Sequence, residues 1–104
     1  MLKIVHEQQS DGVRLRLSGH LDLESTGELK RVLDDCLASA TQQVRVHLGL
    51  VEHISSGGVG ALMHFHSEFA RQGGALLLES PSASCLHALE MLGLSDFFKL
   101  VRAR

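Results

Sequence analysis

The residues best suited to chemistry lie in one short segment, residues 54–59, with the sequence ISSGGV. Two hydroxyl side chains, Ser55 and Ser56, are followed by two glycines where a helix-like pattern begins. Either serine can cap a helix by accepting a hydrogen bond from a backbone N–H group. The unpaired N–H groups and the positive end of a helix also favour a phosphate, free or attached. The segment therefore predicts a capped helix start, or a surface that binds a phosphate or a partner.

Enzyme signatures fit this segment poorly. A P-loop ends in Gly-Lys-Ser/Thr, and no lysine follows these glycines. A dinucleotide-binding fingerprint needs G-x-G-x-x-G, of which Gly58 and Gly60 supply only the first half. A nucleophile elbow needs G-x-S-x-G, but Ile54 takes the place of the first glycine before Ser56. A hydrolase would also need a general base, and no sequence pattern places His87 near Ser56. We therefore expect no enzyme, and we leave open a sensor that takes a phosphate-bearing ligand.

The histidines and cysteines do not form a metal-binding pattern. Of the seven histidines, His64 and His66 stand two apart on a predicted helix and point to different sides. No C-x-x-C or H-E-x-x-H sequence is present, so we expect no metal and no cofactor. Cys36 and Cys85 both lie in segments of apolar periodicity, which favours buried thiols, although a disulfide between them is left open.

Composition narrows the class of protein. The 104 residues, 44% hydrophobic and 21% charged, predict a single globular domain over residues 1–104. The net charge is −2, and the chain has four phenylalanines but no tryptophan or tyrosine, which gives no reason to expect direct binding of nucleic acid. No apolar run approaches the ~20 residues of a membrane helix, and the N-terminus turns polar too soon for a signal peptide. We therefore expect a cytoplasmic protein without membrane insertion.

Two alternating segments at the N-terminus predict a β-hairpin. Residues 2–8 and 13–17 alternate between apolar and polar side chains, and the turn signal Asp11-Gly12 lies between them. Residues 18–22 are predicted to form a loop. Further strands are predicted at residues 44–48, 75–79 and 99–101, with a connector over residues 49–54. The uninterrupted apolar run of residues 75–79 is typical of a strand covered on both faces.

Apolar spacings of three and four predict the helices. They are expected at about residues 24–40 and 58–72, with Gly73-Gly74 ending the second. A third helix is opened by residues 80–82 and terminated by Gly93. Residues 25–28 have the form of a capping box for the first helix, and Asp22 is a second candidate cap. On the second helix, Val59, Leu62, Met63, His66, Phe69 and Ala70 share one face. We predict that Leu33 and Leu62 belong to the core.

The order of elements is β-β-α-β-α-β-α with one further short strand. Alternation of strands and helices implies parallel pairing through right-handed crossovers. We therefore predict an α/β fold with a mixed, mostly parallel sheet of four to five strands, covered by three or more helices.

Over nearly its whole length the chain resembles the STAS domain, in particular the bacterial anti-sigma-factor antagonists. The resemblance rests on the strand at residues 13–17 with residues 19–22 (GHLD) after it, on residues 54–59, and on residues 92–94 (LGL) before Phe97-Phe98. The order and spacing of these pieces carry it. It implies the STAS fold and a binding protein that switches partners.

The family's loop motif is Asp-Ser-Ser/Thr-Gly-Leu, and its first Ser or Thr is phosphorylated. When Gly58 and Val59 are aligned with the motif, Ser56 falls on the phosphorylated position, Ser55 on the Asp and Gly57 on the second hydroxyl. The resemblance thus implies that Ser56 is a phosphoacceptor and that the acid beside it is missing. The partner-binding surface that it implies consists of Asp22, Ser55, Ser56, Gly57, Gly58 and Val59.

The partner implied by the resemblance is an anti-sigma factor that is also a serine kinase of the GHKL type. Phosphorylation of Ser56 would release this partner, and a phosphatase would restore binding. STAS-like proteins also act, without phosphorylation, as small subunits that stabilise ABC-type lipid transport ATPases. Loss of the acid at Ser55 keeps this alternative open.

Overall fold

The computed structural model describes residues 1–39 and 41–102, and there it confirms the predicted fold class and order of elements. The elements are β1 (Leu2–Gln8), β2 (Gly12–Leu21), α1 (Thr26–Ala38), β3 (Gln43–Ile54), α2 (Ser56–Arg71), β4 (Ala75–Glu79), α3 (Ala83–Met91) and β5 (Lys99–Val101). The short C-terminal strand predicted at residues 99–101 is thereby confirmed as well.

The strands form one five-stranded sheet in the order β1-β2-β3-β4-β5. The hairpin pairs β1 antiparallel to β2, and the remaining neighbours are parallel. Gln9 and Gly12 close the hairpin by exchanging backbone hydrogen bonds of 2.8 and 3.4 Å. Because the strands follow one another across the sheet, right-handed crossovers place α1, α2 and α3 on the same face.

Burial agrees with this placement of the helices. One continuous hydrophobic cluster contains the inward residues of all three helices together with alternate residues of the strands. From the sheet it includes Leu15, Leu17, Val44, Val46, Leu76 and Leu78, and from the helices Leu29, Leu33, Val59, Leu62, Phe65, Phe69, Cys85 and Leu89. The predicted core residues Leu33 and Leu62 are confirmed, with 2% and 1% of their surface exposed.

The other face of the sheet carries no helix in the part of the chain that is described, and we call it the open face. The prediction that β4 is covered on both faces is nevertheless confirmed by burial, because Leu76, Leu77 and Leu78 are all buried. Leu77 is buried but lies outside the main cluster, in register between Arg45 and Lys99. Arg14 on the same face binds Glu79 at 2.8 Å. Leu77 is thus flanked by Arg45 and Lys99, whose long side-chain stems can cover apolar surface.

Two segments predicted to be irregular belong to strands. Residues 18–21 extend β2 and residues 49–54 extend β3, so the loop predicted at residues 18–22 and the connector at 49–54 are wrong. Glycines suggested breaks there. Gly19 has a φ of +97° and lies so close to β1 that a Cβ atom would be 2.2 Å from the carbonyl oxygen of Met1. The register of β2 against β3 shifts on both sides of Gly19, between Arg16 and Ser18 and between Gly19 and His20. A glycine at such a place in a strand allows another backbone to approach closely.

Helix boundaries differ from the prediction by about two residues. α1 begins at Thr26 rather than near residue 24, and its predicted last residue, Ala40, lies outside the described residues. α2 begins at Ser56, two residues earlier than predicted. Cys36 and Cys85 are buried free thiols, and burial raises the pKa of both.

Candidate functional site

The candidate site lies where the carboxyl ends of two neighbouring parallel strands meet. Leu21 of β2 and Ile54 of β3 are in register, and the N–H group of Ser55 donates to the carbonyl oxygen of Leu21 at 2.8 Å. Asp22 and Ser55 therefore leave the sheet side by side. Because α1 and α2 both begin just after these residues, two helix N-termini flank the same edge.

Ser55 is the N-cap of α2. Its backbone is extended, and its Oγ accepts a hydrogen bond from the N–H group of Gly58 at 3.1 Å. Its carbonyl oxygen accepts from the N–H group of Val59 at 3.0 Å. The sequence left the cap open between the two serines, and these contacts assign it to Ser55.

Ser55→Ala is expected to lower the free energy of unfolding by about 1 kcal/mol, because it removes an N-cap hydrogen bond. Ser56→Ala is the matched control, since the exposed Ser56 side chain makes no hydrogen bond within the described residues. Its effect is expected within about 0.5 kcal/mol of zero. Urea denaturation of both variants measures the difference, and equal losses would contradict the assignment of the cap.

Ser56 is the first residue of α2, and its side chain is exposed. The first turn of α2 contains no acidic residue. N–H groups at the start of a helix lack intrahelical partners and lie at its positive end. A hydroxyl at this place is therefore accessible to an external enzyme, and a phosphate attached to it would lie in a favourable field.

The two glycines that follow have different surroundings. Gly57 is exposed, and a Cβ atom there would be 3.7 Å from Ser55 Oγ and 3.9 Å from Thr26 Oγ1, which is ordinary contact. Gly58 is buried, and its Cβ would be 2.7 Å from Cγ of Leu21. Gly57 thus belongs to the surface of the site, whereas Gly58 lets α2 pack onto the strands.

Val59 is buried, with 1% of its surface exposed. Of the residues predicted to bind a partner, Ser56 and Gly57 are exposed, while Asp22 and Ser55 are half-buried. Val59 therefore supports the surface from beneath. A contact with a partner would be made mainly by the exposed and half-buried members.

A capping box does precede α1, but three residues earlier than the predicted one. The Oδ1 atom of Asp22 accepts a hydrogen bond from the N–H group of Ser25 at 3.0 Å, and Ser25 Oγ accepts from the N–H group of Asp22 at 2.9 Å. The Ser25–Glu28 box is wrong, because the Ser25 side chain does not cap the helix. Asp22, the second candidate, therefore holds the chain as it turns into α1.

Hydrogen bonds keep the Asp22 carboxylate charged. The backbone N–H of Ser25, and then its hydroxyl, lower the pKa of Asp22 below its usual value. A carboxyl with a lowered pKa stabilises the fold above its unfolded pKa, and this stabilisation is lost as the pH falls through the folded pKa. At neutral pH the site therefore has a fixed negative charge beside the start of α1.

The register of β2 and β3 brings together three further side chains that sequence patterns did not indicate. His20 and His53 are paired across the strands, with ring centroids 6.3 Å apart, and His20 Nε2 lies 3.8 Å from Glu52 Oε1. All three are exposed next to the Asp22 and Ser55 positions. Over the described residues, no cluster of three or more potential ligands could hold a metal ion.

Comparison with protein families supplies the decisive observation. The family model described as "Mlab, STAS domain" matches residues 4–102 of this chain. This chain belongs to the STAS family. The resemblance stated from the sequence is thereby confirmed.

Individual relatives of this STAS domain are anti-sigma-factor antagonists. The anti-sigma-B factor antagonist of Bacillus subtilis strain 168 is 26% identical over 94 residues, which cover 90% of this chain and 85% of the relative. An anti-sigma factor antagonist from Mycobacterium paratuberculosis has a TM-score of 0.87 at 17% identity, covering 97% of this chain and 86% of the other. Phosphorylated SpoIIAA of Bacillus has a TM-score of 0.79 at 19% identity, covering 98% and 92%. The structural matches show that the fold is shared.

The motif alignment implied by the resemblance places Ser55, the N-cap of α2, at an aspartate position. Both residue types are good N-caps, so Ser55 maintains the start of α2. The exchange removes a negative charge directly before Ser56.

No helix within residues 1–39 and 41–102 is long and apolar enough to cross a membrane.

Proposed function

We propose that this STAS domain is a cytoplasmic anti-sigma-factor antagonist controlled by phosphorylation of Ser56. It binds an anti-sigma factor through the surface formed by Asp22, Ser55, Ser56 and Gly57, which the buried Gly58 and Val59 support from beneath. The observation that carries the proposal is that the two serines have different structural roles. Ser55 makes the cap, and the exposed Ser56 hydroxyl is therefore free to be modified without loss of the helix start.

The switch that we propose is electrostatic and local. A phosphate adds about −1.5 to −2 charges at neutral pH. It would enter an interface that already contains the Asp22 carboxylate, and Glu24 and Glu28 line the same surface depression as Asp22. Burying this charge against a partner costs desolvation and repulsion, so the complex dissociates while the domain stays folded.

The chain supplies only the acceptor hydroxyl in this proposal. A serine kinase of the GHKL type, which is also the anti-sigma factor, supplies the nucleotide and transfers the phosphoryl group to Ser56. A phosphatase removes it and restores binding. The chain acts as a regulated binding protein throughout this cycle and performs no catalytic step.

Ser56→Glu is expected to weaken binding of the anti-sigma factor by about thirtyfold or more, because an unpaired charge buried in an interface costs about 2–5 kcal/mol. Immobilised wild type, Ser56→Ala and Ser56→Glu proteins are incubated with native lysate, and captured proteins are identified by mass spectrometry. Ser56→Ala is the control, since it removes the acceptor without adding charge. The affinity of the captured kinase for each variant is then measured in the absence of ATP.

Phosphorylation itself is tested with the captured kinase and ATP, by locating the modified residue. Incorporation in wild type and none in Ser56→Ala is expected. Ser55→Asp keeps a good cap and restores the family's acid, so it tests whether the missing charge alone limits the reaction. Equal binding of the kinase by Ser56→Glu and wild type would refute the switch. A transporter ATPase held equally by all variants would instead favour the non-phosphorylated subunit.

A further inference from the structure

The outer edge of β1 is a regular seven-residue strand edge. β1 stands first in the sheet, and its pairing with β2 runs from Leu2 to Gln8 without a bulge. No strand in residues 1–39 and 41–102 pairs with its other side. Edge strands commonly carry prolines, bulges, covering loops or charged side chains that prevent further pairing. β1 contains neither a proline nor a bulge, and its two charged side chains, Lys3 and Glu7, have opposite signs.

The hydrogen bonds of the hairpin show which residues direct their backbone groups outward. At one end the N–H group of His20 donates to the carbonyl oxygen of Met1 at 2.9 Å, and at the other Gln9 and Gly12 exchange two bonds. In an antiparallel pair, such hydrogen-bonded residues recur at every second position. The odd-numbered residues of β1 therefore bond to β2. The even-numbered residues direct their N–H and C=O groups to the open edge, and they are Leu2, Ile4, His6 and Gln8.

The sequence of β1 is complementary to itself around Val5. If two copies pair antiparallel about an axis at Val5, Lys3 of each copy lies opposite Glu7 of the other, and the exposed Val5 meets its own copy. Ile4 then lies opposite His6. Strands related in this way keep both open faces on the same side of the joined sheet.

Neighbouring registers lose this complementarity. An axis at Ile4 places Lys3 against Val5, and an axis at His6 places Val5 against Glu7. Within the described residues Lys3 forms no ion pair, whereas Glu7 lies 3.9 Å from Arg14 and 3.7 Å from Arg16. With the axis at Val5, the Lys3 ammonium lies opposite the Glu7 carboxylate of the other copy. This register also pairs all seven residues of β1, more than either neighbouring register does.

We propose that two copies of this chain associate through β1, antiparallel and with a twofold axis at Val5. The outward backbone groups of Ile4 and His6 then form hydrogen-bonded pairs across the axis, and so do those of Leu2 and Gln8. Lys3–Glu7 and Val5–Val5 become the non-hydrogen-bonded pairs, in which opposing side chains come closest. The interface is self-complementary, as a twofold dimer requires.

The dimer would be small and reversible, because one strand edge buries less surface than a standard stable interface. β2 lies between β1 and β3, so the exposed Ser56, at the start of the helix that follows β3, stays outside the new contact. The two copies would therefore present two partner-binding sites on one particle. This inference does not depend on the phosphorylation of Ser56.

Cysteine cross-linking tests the axis. Val5→Cys is expected to form an intermolecular disulfide under mild oxidation, because opposing residues of a non-hydrogen-bonded pair lie about 4.5 Å apart at Cα, within disulfide range. Lys3→Cys is the matched control on the same strand. Position 3 of the second copy would lie opposite Glu7 of the first, four residues along the strand. The two cysteines would therefore be about 13 Å apart, beyond the reach of a disulfide. The native Cys36 and Cys85 are buried and do not compete.

A mixture of Lys3→Cys and Glu7→Cys proteins is expected to cross-link as heterodimers, since the register places these positions opposite each other. Cross-linking of Lys3→Cys alone as fast as Val5→Cys would overturn the register. Absence of any Val5→Cys dimer at about 1 mM protein, well into the range for weak interfaces, would overturn the dimer itself.

A proline variant tests the backbone pairing without cysteine. The N–H group of His6 points outward, so His6→Pro removes hydrogen bonds of the dimer and none of the hairpin. Sedimentation velocity from about 10 µM to about 1 mM should show association for wild type and for His6→Ala, and a monomer for His6→Pro. A circular dichroism spectrum confirms that the fold is retained. Equal association of His6→Pro and His6→Ala would refute the strand pairing.

Discussion

Leu62→Ala is expected to lower the free energy of unfolding by about 2–5 kcal/mol, and Leu33→Ala by a similar amount. Leu62 is 1% exposed and Leu33 2% exposed, and both belong to the single cluster between the helices and the sheet. Each substitution removes buried methyl groups and leaves a cavity that a close-packed core fills only in part. The value within the range depends on how far α1 and α2 move to close it.

Leu23→Ala is the matched control for both core variants. It makes the same chemical change at a residue that is 85% exposed, where the expected effect is within about 0.5 kcal/mol. Urea denaturation gives the midpoint and the slope for each variant, and an unchanged slope attributes the shift to stability. A loss for Leu62→Ala no larger than for Leu23→Ala would show that the side chain is not in the core.

The sequence predicted the apolar face of α2 in part. The spacing correctly predicts Val59, Leu62 and Phe69 on the inner face but does not include Phe65, of which only 1% is exposed. Ala70, which the spacing predicts on that face, is exposed. The periodicity predicts that α2 has an apolar face but not which residues lie at the middle of that face. The middle is determined by how α2 packs on α1 and β4.

His66 shows how tertiary contacts complete such a pattern. Its ring is half-buried and makes edge contacts with Phe97 and Phe98, at centroid distances of 5.2 and 5.8 Å. The helical spacing correctly placed it on the inner side of α2. Nothing in the local sequence indicated its partners, because they follow it by about 30 residues and reach it through the turn after α3.

The candidate site was predictable where it depends on local chemistry. A hydroxyl before glycines indicates a helix start, and the sequence offers Asp22 as a candidate cap of α1. The neighbours His20, Glu52 and His53 were not predicted, because their proximity follows from the lateral register of β2 and β3. The lengths of these strands were underestimated for a related reason. Gly19 and Gly49 look like breaks locally, yet both lie within the strands, and Gly19 is paired with Val51 despite its φ of +97°.

Gly58→Ala is expected to lower the free energy of unfolding by about 1–3 kcal/mol, as overpacking in a core does. The added Cβ would be 2.7 Å from Cγ and 3.0 Å from Cδ2 of Leu21, and 3.3 Å from Cγ1 of Ile54. Leu21 is fully buried and Ile54 only 8% exposed, so neither side chain can move aside freely. The first turn of α2 must shift instead, and Ser56 shifts with it. Thermal or urea denaturation measures the loss.

Gly57→Ala is the matched control, and together the two variants separate packing from recognition. Its Cβ would make only ordinary contacts, at 3.7 Å from Ser55 Oγ, and alanine favours a helix over glycine by up to about 1 kcal/mol. Gly57→Ala is therefore expected to be as stable as wild type or more so. A loss of partner binding in this stable variant would then place the contact at the surface around Gly57. If Gly58→Ala were as stable as Gly57→Ala, α2 would not pack on Leu21 as described, and the position of Ser56 would need revision.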